Sequence, residues 1–362
     1  IAMGCLVERY KKELEKSIPE VDLYIKYSEY STLWEQIEKL LSNGKGNVDF
    51  EKFTDRVITT GENYAYIKIA DGCSNCCTFC AIPKIRGMQK SRTMESLVEE
   101  ANKLAEQGYE EIILTAQDTT RYGQDIYGEP KLAELLQEIC KIDKIKWIRI
   151  LYSYPETITD KLIQVIKENN KICNYFDIPI QHISDSVLKR MNRKYTTDQF
   201  RHVVELLRNA YPEVHLTTDV IVGFPGETEE DFDILMDFIQ KMQFDHLGAF
   251  LYSREEGTVA YGMKNQVHYQ TKKRRYEKLM QEQRKICYQK NKAWIGQEME
   301  GLVISADHDH HRYLLRSGWN APDDIDGEIH FTAKKDLALG DKVKIKITAC
   351  YGYDLEGEYI EE

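Results

Sequence analysis

Four cysteines fall within one short polar stretch, and their spacing indicates a metal or redox centre. The segment DGCSNCCTFCAIPKIRG places Cys73, Cys77 and Cys80 in a C-x3-C-x2-C arrangement, with Cys76 directly before Cys77. A loop this short can hold three thiolates against one face of a 4Fe-4S cluster, each thiolate binding one iron. The fourth iron then has no protein ligand, so it can bind a small molecule that carries amino and carboxylate groups.

Other uses of these cysteines stay open at this point. A structural zinc site normally has four protein ligands, and no fourth Cys or His follows at the spacing of a zinc finger. A catalytic dithiol of Cys77 and Cys80 leaves Cys73 without a role. Buried inert thiols fit poorly with a polar loop rich in Gly, Asn and Thr. The pattern therefore favours an iron–sulfur cluster over zinc, a dithiol or core packing.

From Tyr64 onward, short β-branched runs alternate with longer amphipathic segments, which is typical of βαβ units and a parallel sheet. Right-handed crossovers curl such strands into an open barrel, with functional groups at the carboxyl ends of the strands. Because the cysteine segment follows the first run directly, we expect it at that end. The predicted strands are YAYIKIA, EEIILTA, KWIRILY, YFDIPIQ, LTTDVIVGF and HLGAFLY.

The remaining segments predict two smaller units beside this α/β barrel. Residues 1–42 resemble the end of an α/β unit, with LWEQIEKLL at helical spacing. Residues 43–63 are polar and aperiodic, which indicates a linker before the barrel at 64–294. Residues 295–362 change to short strands with turn residues between them, which predicts a small antiparallel β-barrel. Its predicted strands are MEGLVISA, RYLLRSG, GEIHF and KVKIKITA.

The composition restricts the location and the partners. The 362 residues contain no run of eighteen apolar residues, and the first segment becomes charged too early for a signal peptide. We therefore expect a cytoplasmic protein with no membrane partner, in which nine cysteines do not form a disulfide framework. The net charge of -11 works against nonspecific binding to nucleic acid.

The cysteine segment resembles the radical S-adenosylmethionine (SAM) superfamily, whose members carry C-x3-C-x-aromatic-C after the first strand of a partial (β/α)6 barrel. Phe79 occupies the aromatic position, and Cys76 is expected to be a bystander. Further stretches resemble the methylthiotransferase family, and they span most of residues 64–262. Their amino-acid sequences favour the branch that modifies an aspartate of ribosomal protein uS12 over the branch that modifies transfer RNA. These stretches are CAIPKIRG, LTAQDTTRYG, RILYSYPETIT, DIPIQHISDSVLKRMNRKYT, DVIVGFPGETEEDF and FLYSREEGTVA.

The resemblance implies roles for several residues at strand ends. Gln117 and Asp118 end the second predicted strand, where the superfamily holds the SAM amino group. Arg149, Gln181 and Asp219 lie on or just past later strands, so they are expected to reach the ribose, the carboxylate or the substrate.

The resemblance also implies a second cluster and a charge preference. In the methylthiotransferase family an N-terminal domain supplies three cysteines to an auxiliary 4Fe-4S cluster, and Cys5 in MGCLVERY matches the third. The other two are expected before Ile1, so the sequence is expected to lack the front of that domain. The terminal barrel resembles the TRAM domain. It holds 15 acidic and 7 basic residues, a net charge of 7 - 15 = -8, which suits a basic ribosomal protein better than RNA.

The resemblance predicts a radical SAM methylthiotransferase that adds a methylthio group to the β-carbon of an aspartate in uS12. Its expected partners are uS12 in the small ribosomal subunit and an electron donor. Reductive cleavage of SAM would produce a radical that removes a hydrogen from that carbon. The auxiliary cluster would supply sulfur, and a second SAM would supply the methyl group. Two alternatives remain: methylthiolation of an adenosine in transfer RNA, and a non-enzymatic iron–sulfur or zinc scaffold on the ribosome.

Overall fold

The computed structural model describes residues 1–41, 58–59, 61, 63–321 and 326–361. Most of the predicted linker at 43–63 lies outside these described residues, so that prediction is not tested. Within the described ranges, no helix is both long and apolar enough to cross a membrane.

The N-terminal residues form a small parallel βαβ unit. Its elements are β1 (Ala2–Gly4), α1 (Cys5–Ser17), β2 (Tyr24–Lys26), a 3-10 helix (Tyr27–Thr32) and α2 (Leu33–Leu41). Strands β1 and β2 pair in parallel, so α1 is their crossover helix. The predicted LWEQIEKLL helix is α2, which confirms that part of the sequence pattern.

The central unit is a partial barrel of parallel strands that alternate with helices. Its parallel strands are β3 (Tyr64–Lys68), β6 (Glu111–Thr115), β7 (Trp147–Ile150), β8 (Tyr175–Asp177), β9 (His215–Val222) and β10 (His246–Leu251), while β4 (Ala70–Asp71) and β5 (Lys90–Ser91) form a separate short antiparallel pair. Its helices are α3 (Ile82–Arg86), α4 (Met94–Glu106), α5 (Gln124–Tyr127), α6 (Leu132–Cys140), α7 (Asp160–Glu168), α8 (Asp185–Met191), α9 (Thr197–Ala210), α10 (Glu229–Met242) and α11 (Tyr269–Lys292), with 3-10 turns at Pro155–Thr157 and Ala260–Gly262.

The strands run in sequence order around the barrel. Strands β3, β6 and β7 form one parallel sheet, and β8, β9 and β10 form another. Backbone hydrogen bonds join the two sheets, from Cys173 N to Ile148 O at 2.9 Å and from Ser153 N to Asp177 O at 2.8 Å. Each predicted barrel segment contains an observed strand, which confirms the partial (β/α)6 barrel.

The period-two alternation of the strands separates two cores. Ile112, Leu114 and Ile148 are fully buried against the surrounding helices. Ile113, between two of them in sequence, belongs instead to a cluster with Tyr64 and other residues from the starts of the strands. Alternation therefore sends every second side chain into the barrel interior.

The C-terminal unit is a closed five-stranded β-barrel within the described residues, in the order β11-β12-β13-β15-β14. The strands are β11 (Glu298–Asp307), β12 (Arg312–Ser317), β13 (Ile329–Thr332), β14 (Lys342–Tyr351) and β15 (Asp354–Tyr359). The four predicted strands are present, and β15 is an additional one. Strand β15 pairs with β14 antiparallel but with β13 in parallel. Closure therefore uses one parallel pair in this otherwise antiparallel barrel.

A segment of the C-terminal unit closes the amino ends of the central strands. We call residues 317–321 together with Asp326 the plug segment. Arg149 donates hydrogen bonds to the carbonyls of Ser317 and Gly318 at 3.0 and 3.1 Å. The Tyr175 hydroxyl donates to Asp326 at 2.7 Å. The barrel interior is therefore filled at the end opposite to the cysteine loop.

Candidate active site

The cysteine loop begins with a glycine that no other residue replaces easily. Gly72 has a φ of 71°, and a Cβ added to it would lie 2.4 Å from the carbonyl oxygen of Met88. The next residue, Cys73, donates its backbone N–H to the Gly87 carbonyl at 3.1 Å. These close contacts hold the start of the loop against the chain that follows it.

The far side of the loop is held by helix α8. Thr78 donates its backbone N–H to the Met191 carbonyl at 3.0 Å, and its hydroxyl donates to the Arg190 carbonyl at 2.8 Å. Within the loop, Cys80 N donates to the Cys77 carbonyl at 3.0 Å. The thiols are therefore placed by two separate parts of the barrel.

A cavity of about 430 Å³ lies at the carboxyl ends of the strands, and the cysteine loop forms one wall of it. Most of the residues predicted for the site line this cavity, although they come from distant parts of the sequence. They are Cys73, Cys77, Phe79, Cys80, Gln117, Gln181 and Asp219.

Two of the loop thiols, those of Cys73 and Cys80, are in surroundings that disfavour a free thiolate. Burial raises the pKa of Cys73 to about 11, and burial also raises the pKa of Cys80. A bound metal would keep these sulfurs deprotonated. Across the described ranges, no three Cys, His, Asp or Glu side chains are close enough to hold one metal ion. The loop offers three thiolates, which suits a cluster with one open iron better than a structural zinc site with four protein ligands.

Polar groups on the opposite walls suit an organic ligand. The Oε1 atom of Gln117 is buried and has no hydrogen-bond partner among the described residues. Gln181 has a φ of 63° and bridges to β9, since its N–H donates to the Asp219 carbonyl at 2.7 Å. Burial raises the pKa of Asp219 to about 6. An unsatisfied amide oxygen and a carboxylate are appropriate partners for the amino group and hydroxyls of SAM.

Asp118 has a different position from the one predicted. It is 1% exposed and accepts hydrogen bonds from Asn75 Nδ2 at 2.8 Å, Thr120 Oγ1 at 2.9 Å and Arg121 Nε at 3.2 Å. It lies behind the cavity wall, where it fixes Asn75 of the cysteine loop. The predicted direct contact with SAM is therefore corrected to an indirect, supporting role.

The prediction that Arg149 reaches the SAM ribose, the SAM carboxylate or the substrate is wrong. Its side chain is fully buried, pairs with Glu111 at 3.0 Å, and donates to the plug segment. Alternation along β7 does send Arg149 into the barrel interior, but at a lower layer than the cavity. The position of Arg149 in the sequence predicts the direction of its side chain correctly, but not its depth in the barrel.

Cys5 and Cys76, which have different predicted roles, both lie at this end of the barrel. Arg86 Nη2 lies 3.5 Å from the Cys5 sulfur, and Arg86 Nη1 pairs with Asp71 at 3.2 Å. Cys5 is therefore next to the end of the cysteine loop, although it does not line the cavity. Cys76 is exposed, lines the cavity and has a φ of 51°. The metal role of Cys5 and the bystander role of Cys76 stay predictions.

Two polar cavity residues beside Cys77 were not predicted from the sequence. Tyr154 places its hydroxyl oxygen 3.1 Å from the Cys77 sulfur, and Arg193 Nη1 lies 3.7 Å from the same sulfur. Tyr154 follows the end of β7, so the rule that functional groups gather at strand ends could have found it. Arg193 follows helix α8 and had no comparable signal.

The sequence matches models of two known domains. Residues 67–239 match the Radical SAM superfamily, and residues 295–360 match the TRAM domain. The fold is also similar to that of OxsB, described as a cobalamin-dependent S-adenosylmethionine radical enzyme, with a TM-score of 0.50 and 13% identity over 78% of this chain and 42% of that chain. The fold and the cysteine site thus define a radical SAM enzyme with a TRAM domain.

Similarity over the whole chain is closer. The chain is 50% identical to the ribosomal protein uS12 methylthiotransferase RimO of Alkaliphilus oremlandii, covering 100% of this chain and 83% of that protein. It is 44% identical to the RimO of Acetivibrio thermocellus, with the same coverage of 100% and 83%. The RimO of Geobacter sulfurreducens is 46% identical over 99% of this chain and 82% of its own length. The chain belongs to the RimO family of ribosomal protein uS12 methylthiotransferases.

Proposed function

We propose that this enzyme adds a methylthio group to the β-carbon of an aspartate in ribosomal protein uS12. The observation that carries the proposal is the cavity whose wall contains Cys73, Cys77 and Cys80, in a chain similar to uS12 methylthiotransferases along its whole length. An unactivated C–H bond offers no acid–base route to this product, so radical chemistry is required.

The three cysteines would hold a 4Fe-4S cluster, and the opposite wall would hold SAM. When bound, the cluster supplies the electron that cleaves SAM into methionine and a carbon radical able to remove hydrogen from an unactivated carbon. Gln117 would accept from the SAM amino group, because its buried Oε1 lacks another partner. Gln181 and Asp219 would orient the remaining polar groups of SAM or the substrate.

The barrel would keep the reacting atoms in place and away from water. Phe79, Ile82, Pro83 and Ala116 supply apolar parts of the cavity wall. The plug segment fills the amino end of the barrel, so the substrate would enter from the carboxyl end. Holding a target carbon in a dry cavity favours its reaction over side reactions.

The charge of the TRAM domain supports a protein substrate. Its net charge of -8, from 7 basic and 15 acidic residues, attracts a basic ribosomal protein and repels RNA phosphates. We therefore propose that the enzyme acts in the cytoplasm on uS12, either free or in the small ribosomal subunit, with a separate electron donor.

The test is anaerobic reconstitution of the full-length protein with iron and sulfide, followed by addition of dithionite and SAM. Released 5′-deoxyadenosine reports SAM cleavage, and mass spectrometry of added uS12 reports the methylthio group. We expect both products with uS12. Modification of transfer RNA alone would overturn the substrate assignment. A loaded protein that releases no 5′-deoxyadenosine would instead be a scaffold.

A matched pair of variants in the same loop separates ligand from bystander. Cys77→Ala should lose the absorbance of the cluster at this loop and release no 5′-deoxyadenosine. Cys76→Ala should keep both, since its neighbour supplies the proposed ligand. Equal loss in both variants would contradict the assignment of Cys77 as a specific ligand.

We also propose that Cys5 is one ligand of a second 4Fe-4S cluster. It lies on the same side of the barrel as the cysteine loop, with its sulfur 3.5 Å from Arg86 Nη2. In the full-length protein, Cys5→Ala should lower the iron content and abolish methylthio transfer while SAM cleavage continues. Unchanged iron content would refute this role.

A further inference from the structure

Arg193 is a buried cation that forms no direct ion pair with a carboxylate among the described residues. It is 7% exposed, and the neighbouring groups that most influence its charge are Tyr195, Tyr154 and Cys77, while the Glu156 carboxylate acts on it without direct contact. Its Nε atom is buried and has no hydrogen-bond partner in the described part of the chain. A buried guanidinium is strongly unfavourable unless an anion compensates it. This position is therefore prepared for negative charge.

The contacts of Arg193 direct its charge toward one cysteine. Nη1 lies 3.7 Å from the Cys77 sulfur and also donates to the Tyr154 hydroxyl. That hydroxyl lies 3.1 Å from the same sulfur. Because Arg can only donate, the hydroxyl oxygen accepts from Arg193, which leaves its own hydrogen available to a Cys77 thiolate. The chain of donors runs from Arg193 through Tyr154 to Cys77.

The guanidinium has little freedom to leave this position. Nη2 donates to the Pro179 carbonyl, and the guanidinium carbon lies 4.1 Å from the centre of the Tyr154 ring. A second ring, that of Tyr195, lies 5.2 Å away. Contacts in three directions hold the charge beside the sulfur.

We infer that Arg193, with Tyr154, is a positioning residue that raises the reduction potential of the iron–sulfur site through Cys77. The inference rests on the proposed function, because it requires a cluster at these cysteines. Reduction adds negative charge to the cluster, so a fixed cation and a hydrogen bond to a ligand sulfur stabilise the reduced state more than the oxidised state. The same feature would make electron uptake easier before SAM is cleaved.

The test measures the midpoint potential of the cluster in SAM-free, reconstituted full-length chain by an EPR-monitored redox titration. Arg193→Gln removes the charge, Arg193→Lys keeps it, and Tyr154→Phe removes the hydroxyl. Arg201→Gln is the control, since Arg201 lies on the outer helix α9 with its side chain 43% exposed. Iron content and circular dichroism report loading and folding for each variant.

We expect Arg193→Gln to lower the equilibrium constant for reduction about tenfold or more, which is a fall of about 59 mV per tenfold for one electron. Tyr154→Phe should lower the potential by a smaller amount. Arg193→Lys and Arg201→Gln should stay near the unsubstituted protein. A neutral Gln that leaves the potential unchanged refutes the inference.

Other outcomes are also decisive. If the potentials are unchanged and Arg193→Gln instead weakens SAM binding, Arg193 binds the SAM carboxylate and the inference is wrong. If Arg193→Gln fails to load, the comparison of Tyr154→Phe with Arg193→Lys decides, because equal potentials in these two refute the donor chain. If the unsubstituted chain binds no iron, it is the proposed function that fails.

Discussion

Replacing Glu111 with Gln should destabilise the contact between the central barrel and the C-terminal barrel. Glu111 lies at the start of β6 and is fully buried. Its Oε1 accepts from Arg149 Nε at 3.0 Å, and its Oε2 accepts from Arg316 Nε at 2.8 Å, with Arg316 Nη2 at 2.6 Å. One carboxylate thus neutralises a cation from each domain.

The size of the effect follows from what would remain in the variant. Gln keeps one acceptor oxygen, but its NH2 group would face a guanidinium that can only donate. Arg149 would retain the plug carbonyls, and both cations would retain tyrosine rings, that of Tyr175 at 5.0 Å and that of Tyr64 at 4.2 Å. Two buried cations without a carboxylate should cost about 3–5 kcal/mol. That is a large part of a typical unfolding free energy of about 5–15 kcal/mol.

Urea unfolding monitored by tryptophan fluorescence and circular dichroism would measure this change. Glu106→Gln is the control, because Glu106 is exposed at the end of α4. We expect Glu111→Gln to lower the urea midpoint strongly and the control to leave it unchanged. A loss below about 1 kcal/mol, in the range of exposed ion pairs, would show that Glu111 does not carry the domain contact.

Three further predictions test other parts of the interior. Burial raises the pKa of Asp177 to about 7, and the neighbouring carboxylates of Asp219 and Asp326 add to the shift. The pKa of Asp177 is therefore higher in the folded protein than in the unfolded chain. The stability that Asp177 contributes is present below about pH 4 and is lost as the pH rises through about 7. Asp177→Asn should therefore remove part of this pH dependence and stabilise the protein at pH 8 by about 1 kcal/mol or more, as urea unfolding at pH 5 and pH 8 would show, and an unchanged pH profile would contradict it. Gly248→Ala would place a Cβ 2.4 Å from Asp219 Oδ1, so we expect about 1–3 kcal/mol of destabilisation. We also expect weaker SAM binding by calorimetry, and an unchanged affinity would argue that Asp219 does not contact SAM. Gly72→Ala combines a positive φ with a clash against the Met88 carbonyl, so we expect the free energy of unfolding to fall by about 1–3 kcal/mol. The variant should also bind less iron per chain than the unsubstituted protein. Full iron loading would show that the close contacts of Gly72 are not needed to form the cysteine loop.

Much of the fold follows from periodicity that is visible in the sequence. The strands of the central barrel are buried on one face by helices and filled on the other by interior residues, so they stand out as apolar runs. Strand β15 was missed because its alternating inward residues are interrupted. Leu355 is buried, but Gly357 follows it where a Cβ would lie 2.8 Å from the Lys346 carbonyl. Close backbone approach requires glycine there, and this removes the apolar pattern that marks a strand.

The parts of the site that lie at strand ends or in the cysteine loop could be predicted from the sequence. Gln117, Gln181 and Asp219 line the cavity because parallel strands bring their carboxyl ends together. Arg193 could not be found in this way, because its environment comes from residues far apart in sequence. Arg149 was assigned to the wrong layer, because alternation gives the direction of a side chain without its depth in the barrel.

The plug segment has a consequence for engineering this protein. A chimera that exchanged everything after residue 294 would replace the carbonyls of Ser317 and Gly318 that Arg149 contacts, together with Arg316. Glu111 and Arg149 would then face whatever loop the donor TRAM domain carried. A chimera designed to exchange specificity between relatives should therefore exchange Glu111 and Arg149 together with Arg316 and the plug segment, since each half depends on contacts with the other.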